Sequence, residues 1–335
     1  MTDSSAPNAE CIVSDRDVRQ CGNGSTVCSP SKTCVAGICT NPEVVLGGLT
    51  APHAILLDGN TVFVSEGNSI LSVPKSGGSP AVVTTTFASP RRMAVVGNEL
   101  YFADYTASAI MKVPKTGGTA QVVSSTAAPT ELAIAGNYVY FSGGSPSTSI
   151  RRAPLSGGTP ELVASSGGSL LRADPLGTTL LYMPNESELW RADPLSNTTA
   201  LYWSEAFVGT DYALAIDDEA AYALRGPISH PTAPNLKYLG QAYQVLLDGS
   251  PARKIFDGLA NYEGAYTTYH IYSTAVRDET LYMYATGGVH ALDTCGSSYV
   301  KLLQDPPGAG PRSDVLVDET HVYVVIYNAI WRFPR

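Results

Sequence analysis

No apolar run in the 335 residues approaches the ~18 needed to cross a bilayer as a helix, which excludes a helical membrane bundle. Charge is also scarce: Asp, Glu, Lys and Arg make up 15% of the chain, where ~25% is usual. Lys and Arg number 21 against 30 Asp and Glu, a net charge of −9. Binding to a phosphate backbone or an anionic membrane surface needs a basic face, so neither is a partner class for this chain. Apolar residues at i, i+3 and i+4 are absent at any useful length, which argues against a helical fold or a coiled coil. There is no P-loop, HExxH, GxSxG or GxGxxG string, so the common signatures of nucleotide, zinc-protease, hydrolase and dinucleotide chemistry are missing. What is present is 44% apolar residues, enough for a packed core, and 31 Gly with 23 Pro, which suit many short elements joined by tight turns.

The six cysteines are unevenly placed. Cys11, Cys21, Cys28, Cys34 and Cys39 fall in the first 39 residues and Cys295 stands far away. An even count among Gly, Ser and Pro spacers reads as a disulfide framework. Zinc is the rival, but no CxxC pair occurs and no His lies between residues 1 and 40. Residues 1–40 are therefore expected to form a small disulfide module with a flexible tail. Disulfides need an oxidising compartment, so a secreted, periplasmic or cell-surface location is expected. Residues 1–7 are polar and carry no apolar signal-peptide core, which fits a mature chain.

From residue 48 onward the sequence repeats itself. AILLDGNTVFVSEGNSILSVPKSGG (54–78), MAVVGNELYFADYTASAIMKVPKTGG (93–118) and LAIAGNYVYFSGGSPSTSIRRAPLSGG (132–158) share one plan. A short apolar strand leads through a Gly-Asn turn to an alternating aromatic strand. A polar loop leads to a third strand ending in Pro-x-Ser/Thr-Gly-Gly, and a Val-Val-type strand closes the unit. Aligning on the second-strand aromatic gives Phe63, Tyr101, Tyr140, Tyr182, Tyr222, Tyr282 and Tyr323, at intervals of 38, 39, 42, 40, 60 and 41. Four-stranded units of ~40 residues, seven times over, predict an all-β, seven-bladed β-propeller spanning 41–335. The seventh unit stops after three strands at Arg335, and a spare strand stands before the first unit at Glu43 to Leu46. Pairing these residues (43–46) with the last blade would close the ring and remove an exposed edge.

The strings VFVSEGNSILSV (62–73) and LYFADY (100–105) resemble YWTD repeats, the propeller repeats of low-density-lipoprotein-receptor-type and NHL-like proteins. The resemblance covers residues 41–335 and implies a β-propeller fold.

In such a ring the first strand of each blade lines the central channel. Loops between blades and between strands two and three share one face, called top here; the remaining turns share the bottom. The closing strand then places the cysteine module at the bottom, near Cys295, and Cys11 is the expected partner of Cys295, leaving the other four to pair among themselves. Two long excursions share the top, 224–240 and 262–272, the second rich in Tyr. Long loops on a rigid scaffold are where binding resides, and Tyr offers rigid area with a polar tip. Counting ten residues back from each aligned aromatic places His53, Arg91, Thr130, Arg172, Tyr212, Tyr272 and Ser313 at the channel mouth, with Arg92, Glu131, Asp211 and Asp314 beside them. The expected ligand-binding set is His53, Arg91, Arg92, Glu131, Arg172, Asp211, Tyr212, Tyr266, Tyr269, His270 and Tyr272. It would take an extracellular carbohydrate, peptide or protein without turnover or cofactor, on a monomer. The alternative is a metal-assisted lyase or hydrolase, with His53 and His270 beside Glu131 or Asp211 and a divalent ion such as Ca or Mg. Virginiamycin B-type lyases share that blade number and place His and Glu around such a channel. A third reading is a structural surface protein.

Overall fold

The computed structural model describes residues 20–21, 26–27, 33–35, 38–85, 90–143, 149–165, 170–185, 187–205, 212–226, 241–257, 271–285, 288–294, 299–304 and 314–335. Among them there is no helix, and so none long and apolar enough to cross a membrane. Seven four-stranded antiparallel sheets follow one another along the chain. Blade 2 shows the plan, with Pro90–Val96 innermost, then Glu99–Asp104, Ala109–Pro114 and Gln121–Ser125 at the rim. The inner strands neighbour one another in blade order, and that of blade 7 (Val315–Val317) meets that of blade 1 (Pro52–Asp58), so the ring is complete. Blade 7 takes its fourth strand from Glu43–Leu46: Val44 lies opposite Trp331 and Leu46 opposite Ile330, as the strand arithmetic predicts. In the N-terminal segment two short ladders are described, and Cys34 faces Cys39 across the second. Its cysteine side chains, and Cys295, lie outside the described residues.

The core is not central. Among the described residues the buried apolar side chains fall into seven clusters, one at each junction between adjacent blades. A single blade cannot bury both its faces, and the ring supplies each face with a neighbour. The seven aligned aromatics are all buried in these junctions, none more than 4% exposed. Burying one such ring is worth about 2–3 kcal/mol, which is why the repeat keeps an aromatic at that position.

The Pro-x-Ser/Thr-Gly-Gly turns do more than reverse the chain. Gly118 donates its N–H to Val83 O in the outer strand of the preceding blade, and Gly158 does the same to Val123 O, both at 3.0 Å. Gly117 adopts φ +102°, and a Cβ there would lie 3.2 Å from Val83 O. The turn therefore clasps the blade before it, and only Gly lets the backbones approach so closely. Gly117→Ala is expected to lower stability by about 1–3 kcal/mol in urea unfolding. Gly47→Ala, whose Cβ would meet only a Val44 methyl at 3.6 Å, should change it by less than about 0.5 kcal/mol.

The Lys of the same turns adds a second clasp. Lys115 Nζ reaches Asp58 of blade 1 at 2.6 Å, and Lys75 Nζ reaches Asp318 of blade 7 at 2.7 Å. Burial opposes ionisation of Asp318, but the Lys75 ammonium and the N–H groups of Thr320 and His321 hold it below the usual carboxylate range. Tyr323 donates to the same carboxylate at 3.1 Å, and burial, helped by that negative charge, pushes its phenol up to about 12.

Candidate functional site

The inner strands of blades 1, 2, 3 and 6 are not regular. Each shifts register at its top end, after Pro52, Pro90, Pro129 and Ile271. A bulge sets two residues against one on the partner strand and re-aims both side chains. In blade 2 the pair is Arg91 and Arg92, opposite Ala103. Arg91 lies back over its own blade, its guanidinium 4.6 Å from the Tyr105 ring centre. Arg92 turns to the axis. Its Nη1 meets Asp314 Oδ1 at 2.7 Å and its Nε meets Glu131 Oε1 at 3.1 Å.

Asp314 belongs to blade 7 and Arg92 to blade 2, so this contact passes inside blade 1 and across part of the channel. Blade 1 takes part through Ile55 N, which donates to Asp314 Oδ2 at 3.2 Å. From the other side Arg172 of blade 4 reaches Glu131 Oε2 at 3.0 Å, while its Nε donates to Leu214 O of blade 5 at 3.1 Å. One chain of charge-assisted bonds thus links blades 7, 2, 3, 4 and 5, with two guanidiniums and two carboxylates in balance. Asp314 and Glu131 together hold Arg92 well above its ordinary value. Burial, together with the Arg92 charge, pulls Arg172 below it, because Arg172 faces only one of the two carboxylates closely.

The structure therefore sorts the residues expected at the mouth. Arg92, Glu131, Arg172 and Asp314 converge. Arg91 does not join them. Thr130 lies 3.4 Å from Ser142 within its own blade. Tyr272 packs on Tyr284 and the junction of blades 6 and 7, and Tyr212 on the junction of blades 4 and 5. His53 sits half-buried at the blade 1 bulge. Asp211, Tyr266, Tyr269, His270 and Ser313 lie outside the described residues. Counting ten back assumes one register in every blade. The bulges break it, and so does the turn between the first two strands of blade 4 (174–179), longer than the Gly-Asn turns it replaces. The signal was in the sequence: Pro52, Pro90 and Pro129 each stand eleven before the aligned aromatic, and Pro cannot donate to a ladder.

A second cluster marks the base of the Pro-rich excursion. Arg225, fully buried at the end of blade 5's second strand, lies 4.6 Å from the Trp203 ring and 5.0 Å from the Tyr243 ring, and donates to Glu205 O at 3.2 Å. Two aromatic faces and a carbonyl offset the burial of that charge. Nothing in the spacing of the repeats pointed to it. Among the described residues no three His, Cys, Asp or Glu side chains converge as a cation site.

The same ring recurs in proteins of unrelated activity. No family model and no curated protein matches the chain. Among solved structures, an inactive variant of virginiamycin B lyase from Staphylococcus aureus with quinupristin aligns at TM-score 0.66 and 13% identity, over 88% of this chain and 98% of that one. Kuenenia stuttgartiensis hydrazine synthase aligns at 0.65 and 14%, over 86% and 96%. The β-propeller domain of Myceliophteria thermophila Cps50 (Swd1) aligns at 0.65 and 8%, over 88% and 99%. At such identities the likeness is one of fold.

Proposed function

We propose that this chain is a non-catalytic binding propeller that takes a carbohydrate, peptide or protein partner at its top face. The observation that carries the reading is the engagement of the channel carboxylates. Glu131, the described carboxylate named for acid–base work, accepts from two guanidiniums, and Asp314 from a guanidinium and a backbone N–H. A general base needs an oxygen directed at its substrate, and each oxygen of Glu131 is already directed at a guanidinium. A divalent cation at Glu131 would sit beside two positive charges. Both conditions weigh against a metal-assisted lyase or hydrolase centred there and leave the rim as the place of recognition. The proposal extends to a YWTD- or NHL-like repeat, to an exported monomer, and to a disulfide-stapled module at residues 1–40.

The test uses glycan and peptide arrays probed with the full chain, with and without chelator. Tyr266→Ala/Tyr269→Ala is expected to weaken array binding tenfold or more with an unchanged unfolding midpoint. Chelator-sensitive turnover of an array compound would overturn the reading in favour of the enzyme.

A further inference from the structure

We propose that the bottom face of blade 4 is a second docking surface, fitted to a partner segment that carries apolar side chains set among basic ones. Blade 4 contains one pentapeptide twice, Arg-Ala-Asp-Pro-Leu at 172–176 and again at 191–195. The first copy forms the turn between strands one and two and the second the turn between strands three and four, so both emerge at the bottom. Each presents its leucine to solvent. Leu176 is 78% exposed and Leu195 is 94% exposed, the two highest values among the large apolar side chains described.

The turns are held and stand side by side. Asp174 accepts from Thr179 N at 2.6 Å and from Thr178 Oγ1 at 2.7 Å; Asp193 accepts from Leu195 N at 2.7 Å. Both turns abut Gly136 of blade 3: its N–H donates to Gly177 O at 2.9 Å, and a Cβ on it would lie 3.8 Å from Pro194 Cβ. Arg152 Nη1 also donates to Pro194 O at 2.8 Å. Single exposed leucines are ordinary, but a repeated pair on clasped turns is pre-organised apolar surface.

What would cover it follows from charge. The bottom turns of the next blade carry Asp217, Asp218, Glu219 and Asp248, and no described Lys or Arg forms an ion pair with any of them. Tyr202 Oη of blade 4 donates to Leu246 O at 2.7 Å, which sets the Asp248 turn against the blade that bears the leucines. Apolar knobs flanked by carboxylates complement a segment with apolar and basic residues interleaved, whereas a second copy of this acidic face would repel its like.

The probe is a short synthetic peptide with Leu at i, i+3, i+4 and i+7 and Lys elsewhere, beside a Lys/Ser peptide of equal charge. The full chain is expected to bind the first and not the second. Leu176→Ser/Leu195→Ser should weaken binding tenfold or more, and Asp218→Asn/Glu219→Gln severalfold, with unfolding midpoints unchanged. Val82→Ser/Val122→Ser removes exposed valines from two outer strands elsewhere and should leave binding as it was. Three outcomes would overturn the proposal: no binding of the Leu/Lys peptide, equal binding by the leucine variant, or a sedimentation dimer of the wild-type chain that the leucine variant abolishes. The surface lies on the face opposite the proposed top site, so it stands or falls separately.

Discussion

Val45→Asp is expected to destabilise the ring by about 3–5 kcal/mol, and Val44→Asp, one residue away, by less than about 1 kcal/mol. Val45 is 3% exposed and packs in the junction of blades 7 and 1 with Val62, Val73, Val325 and Ile330; Val44 is 49% exposed on the other side of the same strand. An aspartate at 45 would place a charge with no partner among hydrocarbon. The strand concerned makes several contacts at once. It pairs with blade 7, the Gly77 turn of blade 1 lies against Val45 O, and Arg332 holds Glu43 while its Nη1 donates to Lys75 O at 2.6 Å. Losing it would leave blade 7 with three strands and an open edge at Ala329–Pro334. Whole domains are stable by ~5–15 kcal/mol, so the expected loss is a large share. Urea unfolding measures it. Equal midpoints for the two variants would mean that the closing strand does not hold the ring.

The contrast within that strand shows what could be read in advance. Blade number was legible because an aromatic recurs once per blade and is buried in a junction; six of the seven face the following blade, and Tyr182 faces the preceding one, in the junction that Tyr140 also fills. Closure was legible because a strand missing at one end matched a spare at the other. The channel was harder to read. Its residues sit at bulges, and a bulge changes register by one without changing composition; that is why Arg91, on the counted position, turns away to Tyr105 while Arg92 meets Asp314. Arg172 joins the network from a blade whose longer first turn shifts the count as well. The Gly-Gly turns read correctly as turns, but their grip on the neighbouring blade is a tertiary contact that no local pattern encodes. The doubled Arg-Ala-Asp-Pro-Leu was in plain view: its second copy falls where other blades carry Pro-x-Ser/Thr-Gly-Gly, and its return at 172–176 has no counterpart in that plan.

Arg92→Met should cost about 2–4 kcal/mol, below the full ~3–5 of a wholly buried pair because the four charged side chains keep between 9% and 26% of their surface exposed. The loss has a specific form. Glu131 keeps Arg172 and Asp314 keeps Ile55 N, but each loses a cation, so two carboxylates are left with one guanidinium between them. Adding Asp314→Asn should recover much of the loss, and the double-mutant cycle should return a coupling of about 1–3 kcal/mol. Salt separates this network from the rim. The exposed Arg332–Glu43 pair should weaken markedly between 0.1 and 1 M NaCl, whereas the channel coupling should change little, since shielded charges are screened less. The same variants bear on function. If the network is an axle that fixes the inner strands, Arg92→Met/Asp314→Asn lowers stability modestly and leaves top-face binding intact. If these carboxylates instead work on a substrate, the double variant regains its fold and still loses activity, and recognition at the rim would no longer account for the geometry of the mouth.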